Sequence, residues 1–476
     1  MGCPCSFKKI WGVSDLMWKT QVFFIIFLKE VLKTIMEIEV IPNTGLYEKD
    51  CLSFRLVRVR DVSHYYITLL NNGGHCPCCG AYVKKVKDYS SKRISHDKNQ
   101  IIFYKARRLL CECKKTFYED NPFSKERKKL SDHLIRCILE DLKRYNHTYL
   151  EIAQKYGISV TEVIEIFDRH VQIQRKSLRE VISFDEFYFS RHSRNKYAFM
   201  ILGLNGEILD IVKSRHKSRL LDYFKYIPAK ERQRVKYVTM DMYDNYREIV
   251  KRRFSNALIV IDSFHVMKHI NEALDEVRLK VMRRFAENER SDEYYLLKHK
   301  KYVLFKEGLS EELEHNSHFR LKMNEEDYLS RILKIDKDLT NAYQLAKRYY
   351  YFNHYWNEYS EEEALKYIDS FIDECFKLSL PSFEKLANTL DNWKKEIANS
   401  FIPYTKKNDE KVRLSNGRIE GKNSYIKKMI RLANGYCNFE RFRNRAMYCE
   451  NRYEKYSKEP IKHKVKRQFP KKKKSG

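Results

Sequence analysis

The sequence predicts an α/β protein whose mixed β-sheet is split by a long all-α insertion and preceded by a cysteine-rich β domain and two short helices. Three observations carry that expectation. Residues 181–265 alternate short apolar runs with helical patterns, which is how strands and their covering helices read in an α/β sheet. Residues 267–401 are helical by composition, charged and aromatic, with few Gly or Pro. Five of the 12 cysteines, Cys76, Cys78, Cys79, Cys111 and Cys113, crowd into one short segment.

At 476 residues the chain exceeds one ordinary core, so two to four domains are expected. Lys and Arg number 93 against 64 Asp and Glu, a net charge of +29 spread along the whole length. Such a surface draws polyanions, because each neutralised phosphate releases a condensed counterion. Nucleic acid is the expected partner, and a membrane is not. Val22 to Leu28 is apolar but too short to span a bilayer, and Lys29 and Glu30 follow at once. No small-residue cleavage site marks it as a secretory signal. Met1-Gly2-Cys3-Pro4-Cys5-Ser6 matches the N-myristoylation pattern. The favoured reading is duller: residues 1–35 are an extension ahead of a start near Met36. The cytoplasm is expected, because paired thiols outside a small secreted domain read as a metal site in a reducing compartment.

Residues 36–125 form the first domain. Leu52 to Val62 and Tyr65 to Leu70 are rich in β-formers. Cys76-Pro-Cys-Cys79-Gly80 is a CxxC knuckle with a glycine for the turn, and Cys111-Glu-Cys113 supplies a second pair about thirty residues later. Between them Gln100 to Leu110 reads as a strand. Two thiolate pairs joined by strand are the pattern of a zinc ribbon, with structural Zn²⁺ held by Cys76, Cys79, Cys111 and Cys113. The second pair is one residue tighter than usual, which leaves Cys78 and His96 as alternative ligands.

Residues 126–176 predict a helix-turn-helix. Leu150, Ile152 and Ala153 give the first helix its buried side, and Gly157 suits the left-handed turn. Ser159 can cap the second helix, with Glu162 completing a capping box. Val163 and Phe167 then pack inward. Ser159, Thr161, Glu162 and Arg169 are left as the candidate DNA-facing residues.

Residues 177–266 and 411–455 are expected to form one catalytic domain around the insertion, 267–410. Val181 to Phe187 reads as a buried strand carrying Asp185. Lys196 to Leu204 and Glu207 to Lys213 are strands joined at Asn205-Gly206. A helix from Ser218 to Ile227 leads to a strand ending in Asp241, and Ala257 to Ile261 is a further strand before Asp262-Ser-Phe-His265. Antiparallel strands followed by βαβ units with acids at strand ends are the layout of a ribonuclease H-like fold. Phosphodiester attack is favoured by two Mg²⁺ or Mn²⁺ ions, and Mg²⁺ prefers hard carboxylate oxygens. Asp185 and Asp241 lie on neighbouring strands and can share an ion. Glu420 is the third candidate, on a helix that Asn416 can cap. Glu420, Asn423, Lys427 and Arg431 repeat at helical spacing, and Ile419, Ile426, Ile430 and Ala433 form a separate apolar face. Residues 456–476 read as a basic tail that binds phosphates without specificity.

Val181 to His265, and above all the run from Asn416 to Arg445 beginning Asn-Gly-Arg-Ile-Glu-Gly-Lys-Asn, resemble the insertion-sequence transposases of the ISL-three family. The likeness covers roughly residues 70–450. It implies a DDE triad of Asp185, Asp241 and Glu420 with a helical insertion between the last two. Asp262 and His265 resemble the [C/D]xxH signature that supports the active site in related cut-and-paste enzymes. The implied activity is binding of terminal inverted repeats through ribbon and helix-turn-helix, then metal-dependent strand cleavage and strand transfer on double-stranded DNA by a homodimer associated with the nucleoid. Two other readings compete: a catalytically silent DNA-binding regulator derived from a transposase, and a ribonuclease H-like nuclease or resolvase.

Overall fold

The structure, a computed structural model, describes residues 39–125, 129–190, 196–406 and 408–461. The readings of the 1–35 extension and of the tail beyond residue 461 lie outside the described residues. The chain divides into two compact units, Met1–Gln172 with Lys455–Gly476, and Ile173–Glu454.

The first unit is built on a five-stranded sheet. Its strands are β1 (Cys51–Val59), β2 (Val62–Leu69), β5 (Val86–Asp97), β6 (Gln100–Leu110) and β7 (Thr116–Tyr118), while β3 (Gly74–His75) and β4 (Tyr82–Val83) form a separate small ribbon. The order is β1-β2-β6-β5, with β7 also pairing β6. Ile102, Tyr104 and Ala106 alternate along β6 onto one buried face, where Ile67 of β2 and Ile94 of β5 meet them. The predicted break after Val62 falls earlier: Arg60 takes a left-handed φ of 55°, and Val62 already pairs with Val59. Strand β5 was not expected. Its Lys, Ser, Arg and Asp residues conceal the alternation, and a long antiparallel ladder with β6, from Val86 opposite Leu109 to Asp97 opposite Gln100, holds it in place.

Three helices follow, α1 (Asp132–Asp141), α2 (Tyr149–Tyr156) and α3 (Val160–His170). Thr148 and Ser159 each close a capping box, with Glu151 and Glu162 respectively. Gly157 between α2 and α3 has φ 64° and ψ 36°, the left-handed turn expected of it. Leu150 is a correction: it is 55% exposed, and α2 buries Ile152, Ala153 and Tyr156 instead. Two positions along a helix turn the side chain through about 200°, so Leu150 cannot share the Ile152 face.

The second unit holds a mixed sheet ordered β10-β9-β8-β11-β12. Strands β8 (Val181–Tyr188), β9 (Tyr197–Gly203) and β10 (Ile208–Val212) run antiparallel, while β11 (Tyr237–Met240) and β12 (Leu258–Ile261) are parallel to β8 and to each other. Helices α4 (Lys217–Lys225), α5 (Ala229–Arg232) and α6 (Asp244–Arg253) connect them. The β9–β10 hairpin closes with Gly206 alone at positive φ, so it is a longer turn than a two-residue one. Buried Phe184, Phe199, Phe224 and Phe254 pack ring to ring beneath the sheet.

From α7 (Ser263–Arg283) the chain enters the insertion, continuing through α8 (Asp292–His299), α9 (Glu325–Leu333), α10 (Lys337–His354), α11 (Glu361–Lys377) and α12 (Pro381–Ala398). The insertion is not purely helical. Strands β13 (Glu314–Asn316) and β14 (Leu321–Met323) make a hairpin, closed by Arg320 at φ 56° and anchored where the Asn316 amide meets the hydroxyl of Tyr328 at 2.8 Å. Strands β15 (Tyr404–Thr405) and β16 (Lys411–Val412) pair on the way back to the sheet. Helices α13 (Gly417–Leu432) and α14 (Phe439–Glu450) complete the unit. Arg443 of α14 is fixed to β10, its Nε 2.6 Å from Asp210 Oδ1, and Tyr223 donates to the other oxygen at 2.6 Å.

A candidate metal-dependent active site

Strands β8 and β11 set the first two acids. Their parallel register ends at Ser183 opposite Thr239, whose hydroxyl oxygens lie 2.6 Å apart and therefore on one face. Asp185 comes two residues further along β8, so side-chain alternation returns it to that face, and Asp241 follows directly on the end of β11 at Met240. Asp185 Oδ1 accepts the Glu186 amide at 2.7 Å. Burial, with the Asp241 carboxylate beside it, pushes the Asp185 carboxyl up to about 7.

Strand β12 supplies the next pair. Asp262 caps α7 and is 2% exposed; one oxygen faces the Phe264 amide at 3.4 Å and the other accepts the Asn416 amide at 3.1 Å. His265, in the first turn of α7, places Nε2 2.8 Å from Asp241 Oδ1. Burial disfavours its charged form, but the bond to Asp241, with Asp262 and Glu420 nearby, wins and holds the imidazole above its usual range.

Helix α13 brings Glu420 back from far along the chain. Its Oε1 lies 4.0 Å from the same His265 nitrogen that bonds Asp241. Asp262, His265 and Glu420 offer ligand atoms within 4.8 Å of one another. Burial and the charges of Asp262 and Asp241 raise the Glu420 carboxyl, against the pull of His265. Burial likewise raises Asp262.

Asn416 and Asn423 depart from their expected roles. Asn416 makes no side-chain cap. Its amide is turned inward, accepting the Thr239 hydroxyl at 2.6 Å and donating to Asp241 Oδ1 at 3.3 Å. Asn423 does not share an exposed stripe with Lys427 and Arg431. It is 5% exposed among Ile419, Ile426 and Met429, while Lys427 and Arg431 are exposed. Helical spacing of 3.6 carries residue 423 onto the apolar side, where its Nδ2 donates to Asp185 Oδ2. Its Oδ1 is buried with no hydrogen-bond partner among the described residues.

This donor set suits a divalent cation. Asp185, Asp241, Asp262 and Glu420 are hard oxygen donors, and three of these carboxyls are driven toward neutrality by burial and mutual repulsion. The orphaned Asn423 oxygen adds another unspent lone pair beside them. A 2+ charge would relieve that repulsion and let the acids ionise.

In the first unit, Cys76, Cys79, Cys111 and Cys113 converge, all four sulfurs lying within 4.8 Å of one another. Two cross-pairs, Cys76 with Cys113 at 3.6 Å and Cys79 with Cys111 at 3.4 Å, approach the ~3.8 Å edge of a tetrahedron with 2.3 Å zinc–sulfur bonds. A main-chain donor at Cys79 leads in pulling the Cys76 thiol down to about 6. Cys111 is pushed up to about 12, because burial and the surrounding thiols outweigh the Cys113 amide. Cys78 is exposed and stands outside the set. His96 is no alternative ligand: it is buried, with its nitrogens 3.1 Å from Ser131 Oγ and 2.7 Å from the Pro42 carbonyl. On α3, Thr161 is exposed and Arg169 half-buried, while Ser159 and Glu162 bond each other through the capping box.

Sequence reasoning missed Thr239, Glu186 and the true part played by Asn416. Glu186 follows Asp185 and accepts hydrogen bonds from Tyr246 and Arg215. The signal for Asn416 was its place in the Asn-Gly-Arg-Ile-Glu run, read there as a cap.

A family model described as a transposase, of the ISL3-type DDE class, matches residues 182–446, more than half of the chain. The transposase for insertion sequence element IS1001 of Bordetella parapertussis is 24% identical over 213 residues, covering 43% of this chain. The match spans 52%, about half, of that relative's length.

Proposed function

The chain belongs to the ISL3 family of transposases, and we propose on that premise that it cuts and joins double-stranded DNA at the terminal inverted repeats of an insertion sequence. The observation that carries the reading is the convergence of distant acids. Glu420 reaches the same His265 nitrogen that holds Asp241, and the Asp241 charge in turn acts on the Asp185 carboxyl.

In this reading Asp185, Asp241 and Glu420 are the triad that holds Mg²⁺ or Mn²⁺ in a ribonuclease H-like domain. Bound metal would activate the attacking oxygen and stabilise the leaving one. The protein's own residues arrange that centre. His265 fixes the Asp241 carboxylate, and Asp262 anchors the Asn416 main chain so that its amide steadies Asp241 from the other side. Asn423 orients Asp185. Lys427 and Arg431, exposed further along α13, suit a passing phosphate backbone. The four-cysteine cluster as a zinc ribbon and α2–α3 as a helix-turn-helix would bind the repeat, with Thr161 and Arg169 toward DNA. Joining two ends calls for a homodimer acting in the cytoplasm, on the nucleoid. Retention of all three acids favours an enzyme over a silent regulator. No helix among the described residues is long and apolar enough to cross a membrane.

Purified protein, a labelled repeat-end duplex and Mg²⁺ test the proposal. Asp241→Ala and Glu420→Ala should each reduce end cleavage by at least 10³-fold, on the order of 4 kcal/mol of barrier, with repeat binding unchanged. Cleavage that survives Glu420→Ala would remove it from the triad.

A further inference from the structure

A second cluster of metal-ligating side chains lies apart from the four cysteines. Asp97 ends β5, and His133 and Cys137 stand one turn apart on α1, so the i,i+4 spacing puts both on one helix face. Their ligand atoms lie within 4.8 Å of one another. His133 Nε2 is 3.2 Å from Asp97 Oδ2 and 3.4 Å from Cys137 Sγ. One ring nitrogen thus faces both a carboxylate and a thiol. A single N–H can serve only one of them.

Those separations match a different arrangement. Zinc bonds near 2.0 Å to nitrogen and oxygen and 2.3 Å to sulfur place tetrahedral ligands about 3.3 Å apart for N and O and about 3.5 Å for N and S. Both observed edges fall within ~0.2 Å of those values. The site is also built. Asp97 Oδ1 accepts the Lys98 amide at 2.6 Å, which turns Oδ2 toward the cluster. The approach of α1 to β5 is held by main-chain bonds, Ser95 N to Lys129 O at 2.7 Å and Ser131 N to Ser95 O at 2.9 Å. Ser131 caps α1 and meets His96, whose ring lies 4.9 Å from that of His133.

We propose that Asp97, His133 and Cys137 form a second zinc site, with water as fourth ligand, that clamps the end of β5 to α1. The mixed O, N, S donor set is one zinc accepts and magnesium does not. Helix α1 packs on both β5 and α3. A metal at its first turn therefore fixes the sheet against the helix whose exposed face would read DNA.

The test is zinc content of the full chain, purified from zinc-supplemented cells and dialysed against a weak chelator. Two equivalents are expected in the wild type, and one in Cys137→Ala, in His133→Ala, and in the double variant Cys76→Ser/Cys79→Ser. Cys137→Ala and His133→Ala retaining the wild-type zinc content would overturn the proposal. Cobalt substitution of the unmutated chain guards against variants that fail to fold. Five bound thiolates should give a charge-transfer band about one quarter stronger than four, with ligand-field bands of a mixed-donor site overlaid. A cobalt spectrum accounted for by four thiolates alone would also overturn it.

Discussion

Replacing Asp185 with Asn separates what the fold wants at this position from what the chemistry wants. Lifting the carboxyl from 3.8 to about 7 corresponds to about 4 kcal/mol that the metal-free protein loses when Asp185 ionises. A carboxyl whose native value lies above its unfolded one holds its proton more tightly in the folded chain. Its contribution is therefore complete below pH 3.8 and is lost as pH rises toward 7. Asn cannot ionise and escapes that loss. Its amide replaces one acceptor with a donor, and Asn423 can meet the change by turning its unpartnered Oδ1 toward position 185. Allowing about 1 kcal/mol for that exchange, Asp185→Asn should be more stable than wild type by about 2–3 kcal/mol at pH 8, with the gap closing near pH 4. Urea denaturation at both pH values, read by the fluorescence of buried Trp393, measures it. Adding Mg²⁺ at pH 8 should stabilise the wild type and leave the variant unmoved. A variant no more stable than wild type at pH 8 would refute the claim that burial and Asp241 strain this carboxylate.

Other expectations follow from the same geometry. His265 is raised by Asp241, so the pair's contribution is complete below the unfolded histidine value and is lost as pH rises through the native one. Mg²⁺ should compete for Asp241 and move the His265 NMR titration to lower pH; an unchanged titration would place the metal elsewhere. Arg443→Ala leaves Asp210 charged, buried and short of its partner, and should cost about 3–5 kcal/mol in urea denaturation. Gly157→Ala meets nothing within 4 Å, so its loss of about 1 kcal/mol should come from the left-handed backbone alone. A thermal melt unaffected by that change would mean the α2–α3 turn is not left-handed.

The second unit's sheet was legible because its strands are short apolar runs buried on both faces, from Val181 to Phe184 and Ile259 to Ile261. Asp185 and Asp241 were read from their places on or after such runs, whereas Glu420 was read from its helical run beginning at Asn416. Strand β5 was not, since a solvated ribbon of Lys, Ser and Arg carries no alternation for the eye to find. Asn416 and Asn423 were misread for a related reason. Local spacing ranks a short amide as a cap or a polar stripe, whereas their partners Asp241 and Asp185 lie 175 and 238 positions away. Leu150 shows the opposite failure, an apolar side chain counted as core that the helix turns outward.

The hydrogen bond from the Asn416 amide to Asp262 joins the residue where the chain leaves the sheet to the one where it returns, 154 positions later. Order of synthesis follows from that. A ribosome that has released Asp185, Asp241 and His265 still has the whole insertion to make before Glu420 emerges. A nascent or prematurely terminated product is thus short of Glu420, and the cluster it makes with Asp262 and His265 stays incomplete until translation is nearly done.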